Sequence, residues 1–374
     1  MKKLAVAAAL SAALCCTAAS AAPSVTLYGL MDTGFSLART GGNDPAKAGD
    51  GNVSLRMKSG QRNGSRFGLK GTEDLGGGYK VGFILEDQFK GNDGTLQDSS
   101  FWARESTVWV SGGFGRVWLG KTGQLKSPVG STALAGTIMY PFGTLMGNFV
   151  GGLKYITAGN YLTVNNSITY RTPDWNGLTL NAQYSFAMNK QEGTGMNDDD
   201  RYMALAARYR AHNLVALALV DTIHRNTAAS ATTKDQWTYT LGANYDFGYV
   251  KPYVYAQYFR SANLNAVGAD YKGEGHNISA SGAYSGYGVL AAIQWPMWGG
   301  KAKVGGGYMH ANGTGKTEND VRRYSAHVGY DYPLSKRTDL YWDLGWVRQN
   351  TSAPSKPSIY QDGTELAVGM VHRF

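Results

Sequence analysis

An all-β fold, a sixteen-stranded antiparallel barrel that crosses a membrane, is predicted by three observations. Apolar and polar residues alternate with period two over segments of about ten residues. The connections between those segments alternate between short and long, and the last segment, 366–374, runs to an aromatic C-terminus at Phe374.

At the N-terminus, Lys2 and Lys3 precede an apolar stretch from Leu4 to Leu14 and the small residues Ala19, Ser20 and Ala21. That layout is an export signal, because the apolar part falls short of the ~20 residues that a membrane-spanning helix needs. The expected organisation is a cleaved signal peptide, residues 1–21, followed by one barrel domain, residues 22–374. Both cysteines, Cys15 and Cys16, lie in the segment to be removed, which excludes a disulfide framework, a thiolate metal site and cysteine catalysis from the mature chain. Loss of Lys2 and Lys3 lowers the formal net charge from +9 to +7 (9 − 2), a basic balance that points to anionic partners without naming them.

The longest apolar run of the mature chain, Leu214 to Val220, is strand length. A membrane role therefore requires a closed barrel, the other structure that satisfies every backbone polar group in lipid. Along 237–246, Trp237, Tyr239, Leu241, Ala243 and Tyr245 alternate with Thr238, Thr240, Gly242, Asn244 and Asp246. Residues 178–186 and 339–346 split in the same way, with Leu340, Trp342, Leu344 and Trp346 opposed to Asp339, Tyr341, Asp343 and Gly345. Such alternation also suits a soluble sandwich. The connections favour the barrel: tight turns at 74–78, 112–115, 173–177, 212–213, 247–248, 299–300 and 333–336 are separated by longer polar stretches, as on the two rims of an outer-membrane barrel. Seven such hairpins and a lone strand at each end make sixteen strands.

The longest connection, 124–165, carries Leu134, Ile138, Met139, Tyr140, Phe142, Leu145, Phe149 and Tyr155. A long loop with its own hydrophobes packs against something, and a sixteen-stranded barrel offers its lumen. Along 65–71, Arg66, Gly68 and Lys70 share one parity and Phe67 and Leu69 the other. A charge on the lipid face near the bilayer midplane costs ~2–4 kcal/mol, so the basic residues are assigned to the lumen. The same parity argument turns Lys80, Glu86, Arg208 and Arg210 inward, and it turns Glu105, as the neighbour of Arg104, outward.

Three groups of residues carry a family resemblance: Ser24-Val25-Thr26-Leu27-Tyr28-Gly29 with the run from Ser65 to Gly78, Gly113 to Gly120, and Tyr330 to Thr338 with the terminal His372-Arg373-Phe374. Across the whole mature chain the sequence resembles the β-proteobacterial general porins of the Gram-negative outer membrane. The resemblance implies a homotrimer of barrels, each with its third external loop, here 124–165, folded into the lumen. Small hydrophilic solutes and inorganic ions would diffuse passively, without catalysis or cofactor. It places the basic constriction wall on Arg66, Arg104 and Lys121, facing the loop. That loop departs from the pattern: 124–165 holds no Asp or Glu, only Lys126 and Lys154. A constriction without opposing carboxylates favours anions, tempered by Glu86, Asp32 and Asp343. The implied partners are outer-membrane lipid, lipopolysaccharide and the barrel-assembly machinery that reads Phe374, with no nucleic acid. A substrate-selective channel using inward Tyr253, Tyr255 and Tyr341 for stacking, or a surface receptor or adhesin, are the alternatives.

Residues 115–122 match the phosphate-loop pattern of Gly, four residues, then Gly-Lys-Thr. Val117 and Leu119 alternate as in a strand, and no helix follows before Pro128, so the match is a coincidence. The histidines show no pair at ligand spacing, and 197–200 lacks the spaced ligands of a calcium loop, so no metal site is expected.

Overall fold

The computed structural model describes residues 24–43, 53–142, 149–159, 163–188, 199–226, 234–267, 278, 280–315 and 318–374. The expected signal peptide lies outside them. The first strands are β1 (Ser24–Gly42), β2 (Val53–Ser59), β3 (Arg66–Gly76), β4 (Tyr79–Gln88), β5 (Glu105–Gly112) and β6 (Gly115–Gly123). After the long connection come β7 (Thr163–Arg171), β8 (Leu178–Ser185), β9 (Arg201–Ala211), β10 (Leu214–His224), β11 (Gln236–Tyr245) and β12 (Lys251–Asn263). The chain ends with β13 (Ala283–Met297), β14 (Gly300–Gly313), β15 (Asp320–Pro333), β16 (Thr338–Ser352) and β17 (Ile359–Arg373).

All pair antiparallel with their neighbours in one continuous sheet, and β17 returns to pair with β1. The first half of β1 pairs with β3 and the second half with β2. These two strands are halves of a single stave interrupted at 60–65, so seventeen segments make a closed barrel of sixteen staves. Closure removes the unpaired edges that an open sheet would expose in lipid. Phe374 completes it: its N–H donates to the Gly29 carbonyl and its carbonyl accepts from Gly29 N–H, both at 3.1 Å.

The alternation read from sequence sorts as expected. Trp237, Tyr239, Leu241 and Tyr245 are exposed on the outer wall, while Thr238, Thr240 and Asn244 are buried inside. Aromatic residues cluster near the outer ends of the strands, with Tyr245, Phe247, Tyr249, Trp298 and Tyr332 at the short-turn rim, the position where amphipathic rings meet lipid headgroups. All seven tight turns fall where the sequence placed them. The phosphate-loop look-alike forms β6, hydrogen-bonded on both sides, and leaves no amide cradle.

The barrel's hydrophobic core sits in the lumen. Leu125, Leu134, Met139, Tyr140, Phe142, Phe149, Tyr155 and Ile156 from the loop after β6 pack against Tyr202, Leu217, Leu219, Tyr255, Leu290 and Ala292 of the wall. Each large side chain removed from water contributes roughly 1.5–3 kcal/mol, which holds the loop against the barrel. The wall accommodates it through glycine. A Cβ on Gly288 would collide with the Ile156 carbonyl, and one on Gly345 with the Phe149 carbonyl.

Candidate functional site

Polar ties fasten the long loop around the barrel. Near its start, Ser131 donates from its amide (2.7 Å) and hydroxyl (2.6 Å) to Glu105 on β5, and Leu125 N–H donates to Gln183 on β8 (3.2 Å). Lys126 Nζ reaches Asp221 on β10 (2.8 Å) and Thr238 on β11 (3.1 Å). Farther on, Asn244 on β11 donates to the Ile138 carbonyl (2.6 Å), and Gln257 on β12 accepts from Ala158 N–H (2.7 Å). Arg323 on β15 reaches the Tyr155 carbonyl (3.4 Å), and Glu365 on β17 accepts from Phe149 N–H (2.7 Å). The loop thus lies along the wall from β5 to β17.

The inner faces of β3 and β4 carry a different surface. Glu86 accepts from Arg104 Nε at Oε1 (2.7 Å) and from Tyr28 Oη at Oε2 (3.1 Å), and Arg66 Nε stands 3.4 Å from Oε2. Arg104 also donates to Gln88. Arg66, Arg104 and Lys70, whose Nζ lies 5.0 Å from the Tyr28 ring centroid, stand against Glu86 and the neighbouring Glu105, which leaves one net positive charge. Beside this cluster the segment 60–65 bends inward. Amides of Arg62 (2.9 Å) and Asn63 (2.6 Å) donate to Asp32, and the Arg62 guanidinium meets Asp331 at 3.0 Å. Lys303 pairs with Asp331 (2.9 Å) and Asp343 (2.8 Å), so this acidic trio is largely neutralised in place.

Several expected positions differ from the structure. Lys121 stands opposite Ser106, out of phase with inward Thr107 and Trp118. The acids that act on its ammonium are Asp98, in the connection after β4, and Asp87, not Glu86. Lys121 belongs outside the wall cluster, because it shares the parity of Val117 and the exposed Leu119, opposite to the inward Trp118, and the family resemblance had set that parity aside. Glu105 points inward, against expectation: β5 begins at Glu105, so Arg104 precedes the ladder and is free to turn inward as well. Lys126 is not an open charge of the loop, since it is buried against Asp221. Burial pushes its ammonium below the ordinary lysine range, and Asp221 opposes that shift. Lys154 sits on the short helix Leu153–Ile156, its Nζ 5.7 Å from the Tyr155 ring centroid. Arg208 and Arg210 face the lumen, Arg210 more exposed. Tyr253, Tyr255 and Tyr341 point inward but are buried, and Tyr341 donates to Asp32 at 2.7 Å.

Sequence reasoning missed Arg62, Lys303 and Arg323. The last two lie at inward parity in β14 and β15 and were readable in principle. Arg62 lies in the break between β2 and β3, where no alternation exists to follow.

A closed barrel with a lipid-compatible exterior, a charged inner arc and a loop folded inward is a transmembrane channel of the outer-membrane type. A family model described as Gram-negative porin matches residues 5–352. The chain belongs to that family, and it is an outer-membrane porin channel. It is 31% identical to outer membrane porin protein 32 of Delftia acidovorans, with 96% of each chain covered. It is 30% identical, over the full length of both chains, to an outer membrane porin protein of Bordetella pertussis. The solved anion-selective porin from Comamonas acidovorans superposes with a TM-score of 0.65 at 26% identity, covering 94% of this chain and all of that one. A loop-deleted OmpT of Vibrio cholerae, 14% identical with a TM-score of 0.63, shares the fold.

Proposed function

We infer that this porin passes small hydrophilic solutes and ions by passive diffusion with a preference for anions, and that it works as a homotrimer exported by its cleaved N-terminal segment. The observation that carries the preference is the net positive arc of Arg66, Lys70 and Arg104 around Glu86 and Glu105, faced by a loop whose sequence contains no carboxylate. Excess positive potential at a narrow, low-dielectric passage concentrates anions and repels cations, and conduction is preserved because neither guanidinium encloses the solute. The name of the Comamonas relative agrees with this reading. The burial of Tyr253, Tyr255 and Tyr341 argues against a stacking ladder for one dedicated solute.

The reversal potential of the purified mature chain in a planar bilayer, under a potassium chloride gradient, tests the preference. A chloride-directed potential is expected, and a potassium-directed one would refute it. Deleting residues 133–151 is expected to raise single-channel conductance, because it removes the loop's bulk from the lumen. Cross-linked or unheated electrophoretic species at three times the monomer mass test the trimer.

A further inference from the structure

Four arginines project into the lumen at the short-turn end, away from the Arg66 and Arg104 cluster. Arg116, first after the turn on β6, stands opposite Arg171, last on β7. Asn181 on β8 faces Arg171, and its neighbour on the same face, Thr179, stands opposite Arg208 on β9. Arg210 follows on that face of β9. Adjacent strands lie ~4.8 Å apart, so the row crosses about 14 Å of wall.

Aromatic faces set the first two guanidiniums. Arg116 lies 4.2 Å from the Trp109 ring centroid and 5.4 Å from that of Trp118, and Arg171 lies 5.2 Å from the Trp118 centroid. Stacking fixes the plane of a guanidinium but leaves its edge, which carries the N–H donors, for other partners. Arg171 places one donor on Asn181 (2.7 Å) and another on the Thr132 carbonyl (3.3 Å).

Two neighbouring donors have no acceptor. Arg208 Nε and the indole N–H of Trp118, a residue only 2% exposed, are buried without a hydrogen-bond partner. A buried polar group without a partner is unfavourable and calls for an acceptor. None of the four arginines has a carboxylate at ion-pair distance among the described residues. The acid that acts on Arg208 is Asp174 in the turn, and Asp174 caps the Gly177 amide. Arg116 and Arg208 both act on Arg171 as like charges, a repulsion that an anion held among them would relieve.

We propose that Arg116, Arg171, Arg208 and Arg210, with Trp118, form an anion-binding site at the periplasmic mouth that takes oxyanions bearing two or more negative charges, such as dicarboxylates and phosphates. Forked guanidiniums match the paired oxygens of these groups, and a row of them rewards a ligand with charge at both ends. The site rests on the reading that anions traverse the channel, and it adds the class of anion that pauses there. Its distance from Arg66 and Arg104 separates retention from selectivity.

The test is single-channel recording with succinate, inorganic phosphate or acetate added to one side and then to the other. Succinate and phosphate are expected to interrupt the chloride current at lower concentration than acetate does, and more readily from the short-turn side. Arg208→Gln combined with Arg116→Gln is expected to raise the half-blocking concentration of succinate at least about tenfold, the loss of one charge-assisted hydrogen bond. Exposed Arg210→Gln gives a smaller shift in a variant whose folding is not at stake. Equal block by succinate and acetate, or block unchanged in both variants, would overturn the site. A failure of the anion preference would show separately, as a potassium-directed reversal potential in wild-type protein.

Discussion

The two halves of the lumen wall are built from different materials. From β9 to β17 the inner face is rich in Ala, Leu, Tyr and Gly, and the long loop lies on it through apolar contact and a few buried polar ties. On β3 to β7 the inner face carries Arg66, Lys70, Arg104, Arg116 and Arg171, with Glu86 and Glu105 between them. An apolar inner face is unstable against water and recruits a cover, whereas a charged one is stable only if its charges stay hydrated or are paired, as Lys303 is with Asp331 and Asp343. The wall's own side chains therefore decide where the loop lies.

The comparison is broken most forcefully at the buried tie of Lys126. Lys126→Met leaves Asp221 buried and unpaired, and about 3–5 kcal/mol of stability should be lost. Thermal unfolding in detergent would measure it. Adding Asp221→Leu should restore most of that loss, and a double variant as unstable as the single one would count against the pairing. Phe149→Ala comes next: it empties the pocket between Gly345 and Gly363 and should cost about 3 kcal/mol, with noisier channel current as the loop loosens from β16 and β17.

Smaller effects sharpen the contrast. Gly288→Val pushes a branched side chain into the Ile156 carbonyl, and about 1–3 kcal/mol of overpacking is expected. Its effect should vanish in the 133–151 deletion only if Ile156 has moved away, which a paired comparison of melting temperatures reads directly. On the charged side, Arg66→Ala should leave stability nearly unchanged, because its contact with Glu86 is long and part-solvated. It should lower the chloride-to-potassium permeability ratio by about twofold, whereas Lys121→Ala, on the outer parity, should leave that ratio alone.

Much of this architecture was legible in the chain. The period-two patterns placed Trp237 to Tyr245 and Leu340 to Trp346 on the lipid face, and parity turned Arg66, Lys70, Glu86, Arg208 and Arg210 inward. Parity failed where the ladder is interrupted. Arg104 precedes β5, and Arg62 lies between the two halves of one stave. At such places the pleat no longer dictates direction. Lys121, by contrast, which the family resemblance put on the wall, follows the outward parity of Val117 and Leu119.

The pattern of residues by itself determined that the chain closes into a barrel, which parity faces lipid, where the tight turns fall and that 124–165 must pack somewhere, because alternation, turn chemistry and apolar content are local properties. Only the tertiary structure decided that Lys126 is silenced by Asp221, that Glu86 collects Arg66 and Arg104, and that Arg116, Arg171 and Arg208 form a row. Those pairings join residues tens of positions apart on different staves. Strand register and loop placement settle them, and both are set by the energy of the closed barrel as a whole.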